Sequence, residues 1–250
     1  MKRSRPLAAV AGLLIAVLAF APDTALTQSV ETASSVTTSM ESHFTVPPLP
    51  DGPLDQIVAL VVFAPGAGTA VHYHPGPGFA TLLEGQVVHR RVAIGRDTTY
   101  EAGATWVEIR NDVHYARDEV DGAAPILATY IIPRGAEISI ATADQPVPSR
   151  PAPSVPALAR VPVAPTAPSY TLTQAVRTYD PGASTSSTTP PGAQSVVLVV
   201  EGAVEAAGSD EPKIFGPGEF WIEMGDTPIV SSNSTPSRAV VLVSTIASDR

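Results

Sequence analysis

An all-β protein made of two similar small barrels is what the sequence predicts, and three observations carry that prediction. Twenty-six prolines and 18 glycines, against 6% aromatic residues, favour short strands and tight turns over long helices. Runs rich in Val, Ile, Thr and aromatic residues recur with Gly or Pro between them. The third observation is an internal repeat. LLEGQV (82–87) and VVEGAV (199–204) stand 117 residues apart, and GATWVE (103–108) and GEFWIE (218–223) stand 115 apart. Order and spacing are kept to within two positions, which marks a duplicated unit.

Taken in order, the chain opens with Lys2, Arg3 and Arg5 ahead of a 16-residue apolar run, Pro6 to Ala21. This is the pattern of a cleaved export signal (residues 1–21), and the run is shorter than the roughly 20 residues that span a bilayer. The expected location is therefore secreted or periplasmic. Residues 22–43, rich in Ser and Thr and without period, read as a flexible spacer. The first folded unit is expected at 44–140, with strands at Gln56–Ala64, Phe79–Leu83, Gln86–Ala93, Thr105–Ile109, Val113–Arg117 and Ile126–Ile132. Residues 141–169 are so dense in proline that they read as an extended linker outside any sheet. The second unit follows at 170–250.

Loss of the signal leaves 12 basic against 24 acidic side chains, so nucleic acid and an anionic membrane surface are excluded as partners. The expected partner is a small-molecule ligand or substrate. The chain has no cysteine, so disulfides and thiolate ligands are excluded too. Any metal must rest on His, Asp or Glu.

The chemistry concentrates in VHYHPGPG, residues 71–78. On a strand His72 and His74 point to one face, either as two converging ligands or as a polar surface pair, while Tyr73 points away. Gly66, His72, His74 and Gly85 fall at the spacing of the first motif of the cupin superfamily, with Gly78 where that motif carries an acid. Gly103 and His114 match the second motif, in which Ile109 replaces a Pro, Asn111 a Gly and Asp118 an Asn. Asn is the residue next most willing to take positive φ, so Asn111 is a tolerable substitute.

The chain thus resembles a two-domain cupin (a bicupin). That resemblance implies two double-stranded β-helix barrels, related to the jelly roll. It also implies metal binding by His72, His74 and His114, with open positions left for water or substrate. The implied cofactor is a divalent metal ion, iron favoured, and the implied activity is that of a metal-dependent dioxygenase or related oxidoreductase. A non-catalytic small-ligand-binding protein is the alternative. Gly78 removes the family's carboxylate, and a Glu restored there is expected to tighten metal binding.

Glu108 is the best nearby carboxylate for a substitute ligand or general base. It recurs with Trp106 as Glu223 and Trp221, which also suits a folding role. Glu84 is expected to serve a turn, and His43 and His89 to lie on the surface. Thr188, Thr189 and Pro190 stand where the second unit would carry its His-x-His, and Ile229 near its third ligand, so that unit is expected to bind no metal.

Overall fold

Alternating apolar residues pair the chain into antiparallel sheets. The structure, a computed structural model, describes residues 34–142, 149–164, 167, 169–208, 211–225 and 227–249, which form nineteen strands in four sheets and no helix. The all-β expectation holds; the expected signal, residues 1–21, lies outside the described residues.

The first sheet runs in the order β11 (Ser154–Val163), β2 (Leu54–Phe63), β9 (Ala124–Pro133), β4 (Gly78–Leu82) and β7 (Thr105–Glu108). Facing it is a second sheet of β10 (Ile140–Ala141), β3 (His72–Tyr73), β8 (His114–Arg117), β5 (Gln86–Arg91) and β6 (Arg96–Glu101). Leu82 and Trp106 from one and Val87 and Ala116 from the other close a common core.

The later residues repeat the arrangement. The third sheet comprises β1 (Val36–Thr45), β12 (Tyr170–Tyr179), β19 (Ala239–Ser248), β14 (Gln194–Glu201) and β17 (Phe220–Met224). The fourth comprises β13 (Ser184–Thr188), β18 (Pro228–Ser232), β15 (Val204–Ala207) and β16 (Lys213–Phe215). Tyr179 and Trp221 of the third sheet share a core with Val204 and Phe215 of the fourth.

The first and third sheets stack through Val58, Leu127, Leu198 and Leu242. A buried polar chain crosses this stack: Gln174 donates to Thr129 Oγ1 (2.9 Å), Thr129 to Ser244 Oγ (2.9 Å), and Gln56 Nε2 to the Ser244 carbonyl (3.0 Å). Such groups are tolerable inside only because they are bonded, and they fix the register of the stack.

Two expectations about the connecting segments are corrected. The expected spacer, 22–43, contributes Val36–His43 to β1, which pairs with β12 from Val36↔Tyr179 to Thr45↔Thr171. Within the expected linker, 141–169, Ser154–Val163 forms β11, paired with β2. Its prolines are accommodated because β11 is an edge strand and Pro156 lies at the register shift between Ser154 and Ala157. Beneath the prolines runs a period-two pattern, with Ala157, Ala159, Val161 and Val163 buried. The β6 strand was also not anticipated.

The repeated Glu-Gly turns have a steric reason. Gly85 (φ 73°) and Gly202 (φ 70°) both adopt the left-handed region, and a Cβ there would lie 2.7 Å from the Ala123 carbonyl oxygen and 2.4 Å from that of Arg238. Glu84 is exposed on this turn, as its expected role requires.

Candidate metal centre

His72 and His114 are direct partners across β3 and β8, so both imidazoles leave the sheet on one face. His74 follows one pleat later on that face. All three are buried, and one ring nitrogen from each lies within 4.8 Å of the others. Each ring is aimed by the backbone: Nδ1 of His72 donates to the Ala70 carbonyl (2.8 Å), that of His74 to Ile138 (2.6 Å) and that of His114 to Asp112 (2.8 Å). With Nδ1–H committed to a carbonyl, Nε2 is the free donor atom of each ring, the usual way a protein orients a histidine ligand.

The loop before His114 is held by the residue that replaces the motif glycine. Asn111 has φ 61°, the one positive φ outside glycine among the described residues, as its willingness to adopt that conformation anticipated. Its N–H bonds the His74 carbonyl (2.9 Å), and Arg91 Nε donates to Asp112 Oδ2 (2.6 Å). One turn thereby ties the backbone of two candidate ligands together.

A carboxylate does stand beside Gly78, on the neighbouring strand. Gly78 pairs with Glu108 on β7 and with Tyr130 on β9. A Cβ on Gly78 would lie 3.1 Å from Glu108 Oε2 and 3.0 Å from Tyr130 Cε1. The absent side chain leaves the space that the Glu108 carboxylate fills. Oε2 lies 2.9 Å from His74 Nε2 and 3.6 Å from His114 Nε2, and Oε1 accepts a bond from Trp106 Nε1 (3.0 Å).

His89 is a correction. Expected on the surface, it is 4% exposed, with Nε2 3.4 Å from Glu108 Oε1 and its ring centroid 4.9 Å from that of His114. Val87, Val88 and His89 are all buried, so alternation does not reveal the inward direction of the ring. Its pairing with Ala116, two residues from His114, does. His43 is exposed beside Glu41, as expected.

The electrostatics separate the histidines. Burial, reinforced by the neighbouring imidazoles, pulls His72 down to about 4. Burial also lowers His114, against the attraction of Glu108. For His74 burial acts downward too, but its bond to Glu108 and the carboxylate charge outweigh it and the net shift is upward. Glu108 feels burial upward, yet His114, His74 and His89 together hold it well below the usual carboxylate range. His72 and His114 are thus neutral donors, while His74 carries on Nε2 a proton that a cation can replace. His114 Nε2 is buried without a hydrogen-bond partner. A buried, unsatisfied imidazole nitrogen beside an ionised carboxylate fits a metal ligand.

The centre forms one end of a cavity of about 270 Å³ between the first two sheets. Tyr130 reaches it from β9; burial and the Glu108 charge push its phenol upward, so the hydroxyl stays protonated.

The later residues keep the Trp–Glu bond without the histidines. Trp221 Nε1 donates to Glu223 Oε1 (3.0 Å), and Ser187 Oγ to Glu223 Oε2 (2.9 Å). Ser187 pairs with Ile229 as His72 pairs with His114. By this register Ser187 and Thr189, rather than Thr188 and Pro190, occupy the His-x-His places.

No protein-family model and no curated protein matches the chain in sequence. Solved structures do match in fold. AerE from Microcystis aeruginosa aligns over 84% of this chain and 98% of its own, at 13% identity and a TM-score of 0.50. A variant oxalate decarboxylase from B. subtilis aligns over 85% and 78%, at 13% identity and 0.52. The formate complex of oxalate decarboxylase from Lactobacillus farciminis aligns over 82% and 86%, at 13% identity and 0.53.

Proposed function

The chain has the cupin fold, and from that fold and the donor set within it we propose an exported bicupin whose first barrel binds one divalent metal ion. His72, His74 and His114 are its nitrogen ligands and Glu108 its carboxylate ligand. The observation that carries this reading is the triple bond set from Nδ1 to backbone carbonyls, which turns three Nε2 atoms toward one another beside a buried carboxylate. The second barrel, whose one histidine among the described residues is the exposed His43 of β1, binds none. Three imidazoles and one carboxylate suit iron and its divalent neighbours.

The activity the site suits best is that of a metal-dependent dioxygenase or related oxidoreductase acting on a small organic molecule. Bound iron would supply the redox chemistry. The chain's own residues do the rest: the histidines are aimed before any ligand arrives, Trp106 holds the second oxygen of Glu108, and Tyr130 offers a protonated hydroxyl to a substrate oxygen. The apolar cavity excludes water from this centre. Its enclosure equally favours the second reading, a protein that binds a small ligand without turnover.

The test is metal analysis of the untagged full chain by mass spectrometry, followed by oxygen uptake with candidate substrates. About one metal per chain, lost on mutation of His72, His74 or His114, supports the site. Oxygen uptake separates the enzyme from the binding protein, and a full chain that takes up no divalent ion refutes both metal readings.

A further inference from the structure

One row of residues across the first sheet determines the shape of the cavity. Leu158 pairs with Ala59, Ala59 with Ala128, Ala128 with Ala80, and Ala80 with Trp106. All five line the cavity. In this row three adjacent strands present methyl groups, between a leucine at one end and an indole at the other, while Val61, Phe63 and Ile126 add larger apolar side chains to the lining. The next row toward the metal centre carries Tyr130, Gly78 and Glu108. The result is an apolar slot lined also by His114, whose buried Nε2 has no hydrogen-bond partner.

The charge on the wall is equally specific. Among the described residues no Lys or Arg lines the cavity, and Glu108 is the one carboxylate there. In the metal-free protein an anionic molecule would enter an apolar slot that already holds the Glu108 carboxylate, whose positive partner His74 is bonded to it, a placement that disfavours the ionised form. In size, about 270 Å³ equals roughly nine waters at about 30 Å³ each, which is room for a molecule of about ten non-hydrogen atoms. Aromatic rings and flat hydrocarbons bury well against methyl surfaces.

We propose that the site selects a small, uncharged and largely hydrocarbon molecule bearing an oxygen donor, and that without a bound ion it rejects small carboxylates. This rests on the metal-site reading for where the oxygen points, but not for the apolar lining.

Calorimetric titration of the full chain, metal-free and loaded with Zn²⁺, with 4-methylphenol, benzoate and oxalate tests this. The expected order in the metal-free form is 4-methylphenol tightest, benzoate at least tenfold weaker and oxalate weaker still; in the Zn²⁺ form the ion's own charge should narrow that gap. If the chain takes up no metal but keeps this order, the slot assignment stands while the metal reading falls. Benzoate or oxalate binding the metal-free protein as tightly as 4-methylphenol overturns the proposal, as does absence of 4-methylphenol binding to the folded protein. Ala128→Leu should fill the slot and lower 4-methylphenol affinity at least tenfold with metal content unchanged. Leu158→Trp, at the half-exposed rim, tests the same wall where the core does not have to accommodate the change. Unchanged affinity in folded forms of both variants also overturns the placement.

Discussion

Moving the carboxylate back to residue 78 tests whether Glu108 replaces it. Gly78→Glu alone, which the motif comparison favoured, is now expected to fail. Its Cβ would lie 3.1 Å from Glu108 Oε2 and 3.0 Å from Tyr130 Cε1, tighter than real Cβ contacts ordinarily come. Overpacking of this kind costs about 1–3 kcal/mol, and two carboxylates would then compete for one place. Backbone strain is not the obstacle, because φ of Gly78 lies outside the left-handed region. Glu108→Ala alone strips the acceptor from Trp106 Nε1 and the anion from His74. It should destabilise the fold by about 1–3 kcal/mol through the unpaired indole N–H. It should also weaken metal binding by at least about 100-fold, the upper end of what losing an outer partner of a metal ligand costs. In the double variant Gly78→Glu/Glu108→Ala one of the two close contacts is gone and a carboxylate returns from a strand about 5 Å away. Metal affinity should recover to within about tenfold of the parent, and the loss of stability should be smaller than the sum of the single losses by about 1 kcal/mol or more. Competition against a chromophoric chelator measures the affinity, and thermal unfolding measures the stability. Refutation has two forms: a folded double variant that binds metal no better than Glu108→Ala, or a Glu108→Ala protein that binds as the parent does.

Other expectations follow from the same geometry. Since His72 is pulled to about 4 and His114 is lowered while His74 is raised, metal uptake near neutral pH should release one proton, not three. Affinity should rise about tenfold per pH unit below the raised His74 value and level off above it; release of three protons near pH 6, measured by calorimetry in paired buffers, would contradict this. In the metal-free protein the depressed His72 makes the unfolded state bind more protons between pH 6.5 and about 4, so stability should fall as the pH drops through that window by on the order of 3 kcal/mol, read by denaturant titration. His72→Ala, His74→Ala and His114→Ala should each remove most of the metal, whereas His89→Ala, which borders Glu108 and packs beside the His114 ring, should weaken it by about tenfold; metal analysis of the four variants decides. Asn111→Ala should cost about 1–2 kcal/mol because a methyl side chain at φ 61° is strained, while Asn111→Gly should be neutral or stabilising in thermal unfolding.

What could be read from the residues divides along physical lines. Local geometry was legible: the positive-φ turns at Gly85 and Gly202, the stand-in at Asn111 and the convergence of three histidines all depend on residue type at short spacing. Pairing between distant strands was not. The alternation in ALARVPV lay under a proline density that argued against any sheet, and only an edge position beside β2 makes those prolines harmless. His89 and Glu108 failed for a related reason, because a strand residue's direction depends on its register against a partner far away in the sequence.

For Glu108 the decisive signal was present but sat at another residue. A glycine at the motif's acidic position reads as a loss until its cross-strand partner is known. A Cβ at residue 78 would crowd the Glu108 oxygen, 3.1 Å from that place, so the missing acid and the inward carboxylate are two sides of one arrangement. The second half shows why a carboxylate was to hand. Trp221 holds Glu223 there by the same 3.0 Å bond although no histidine is near it in sequence or register. The Trp–Glu pair is thus a device of the fold, and with a glycine opposite it in the first half its spare oxygen comes to stand among three histidines.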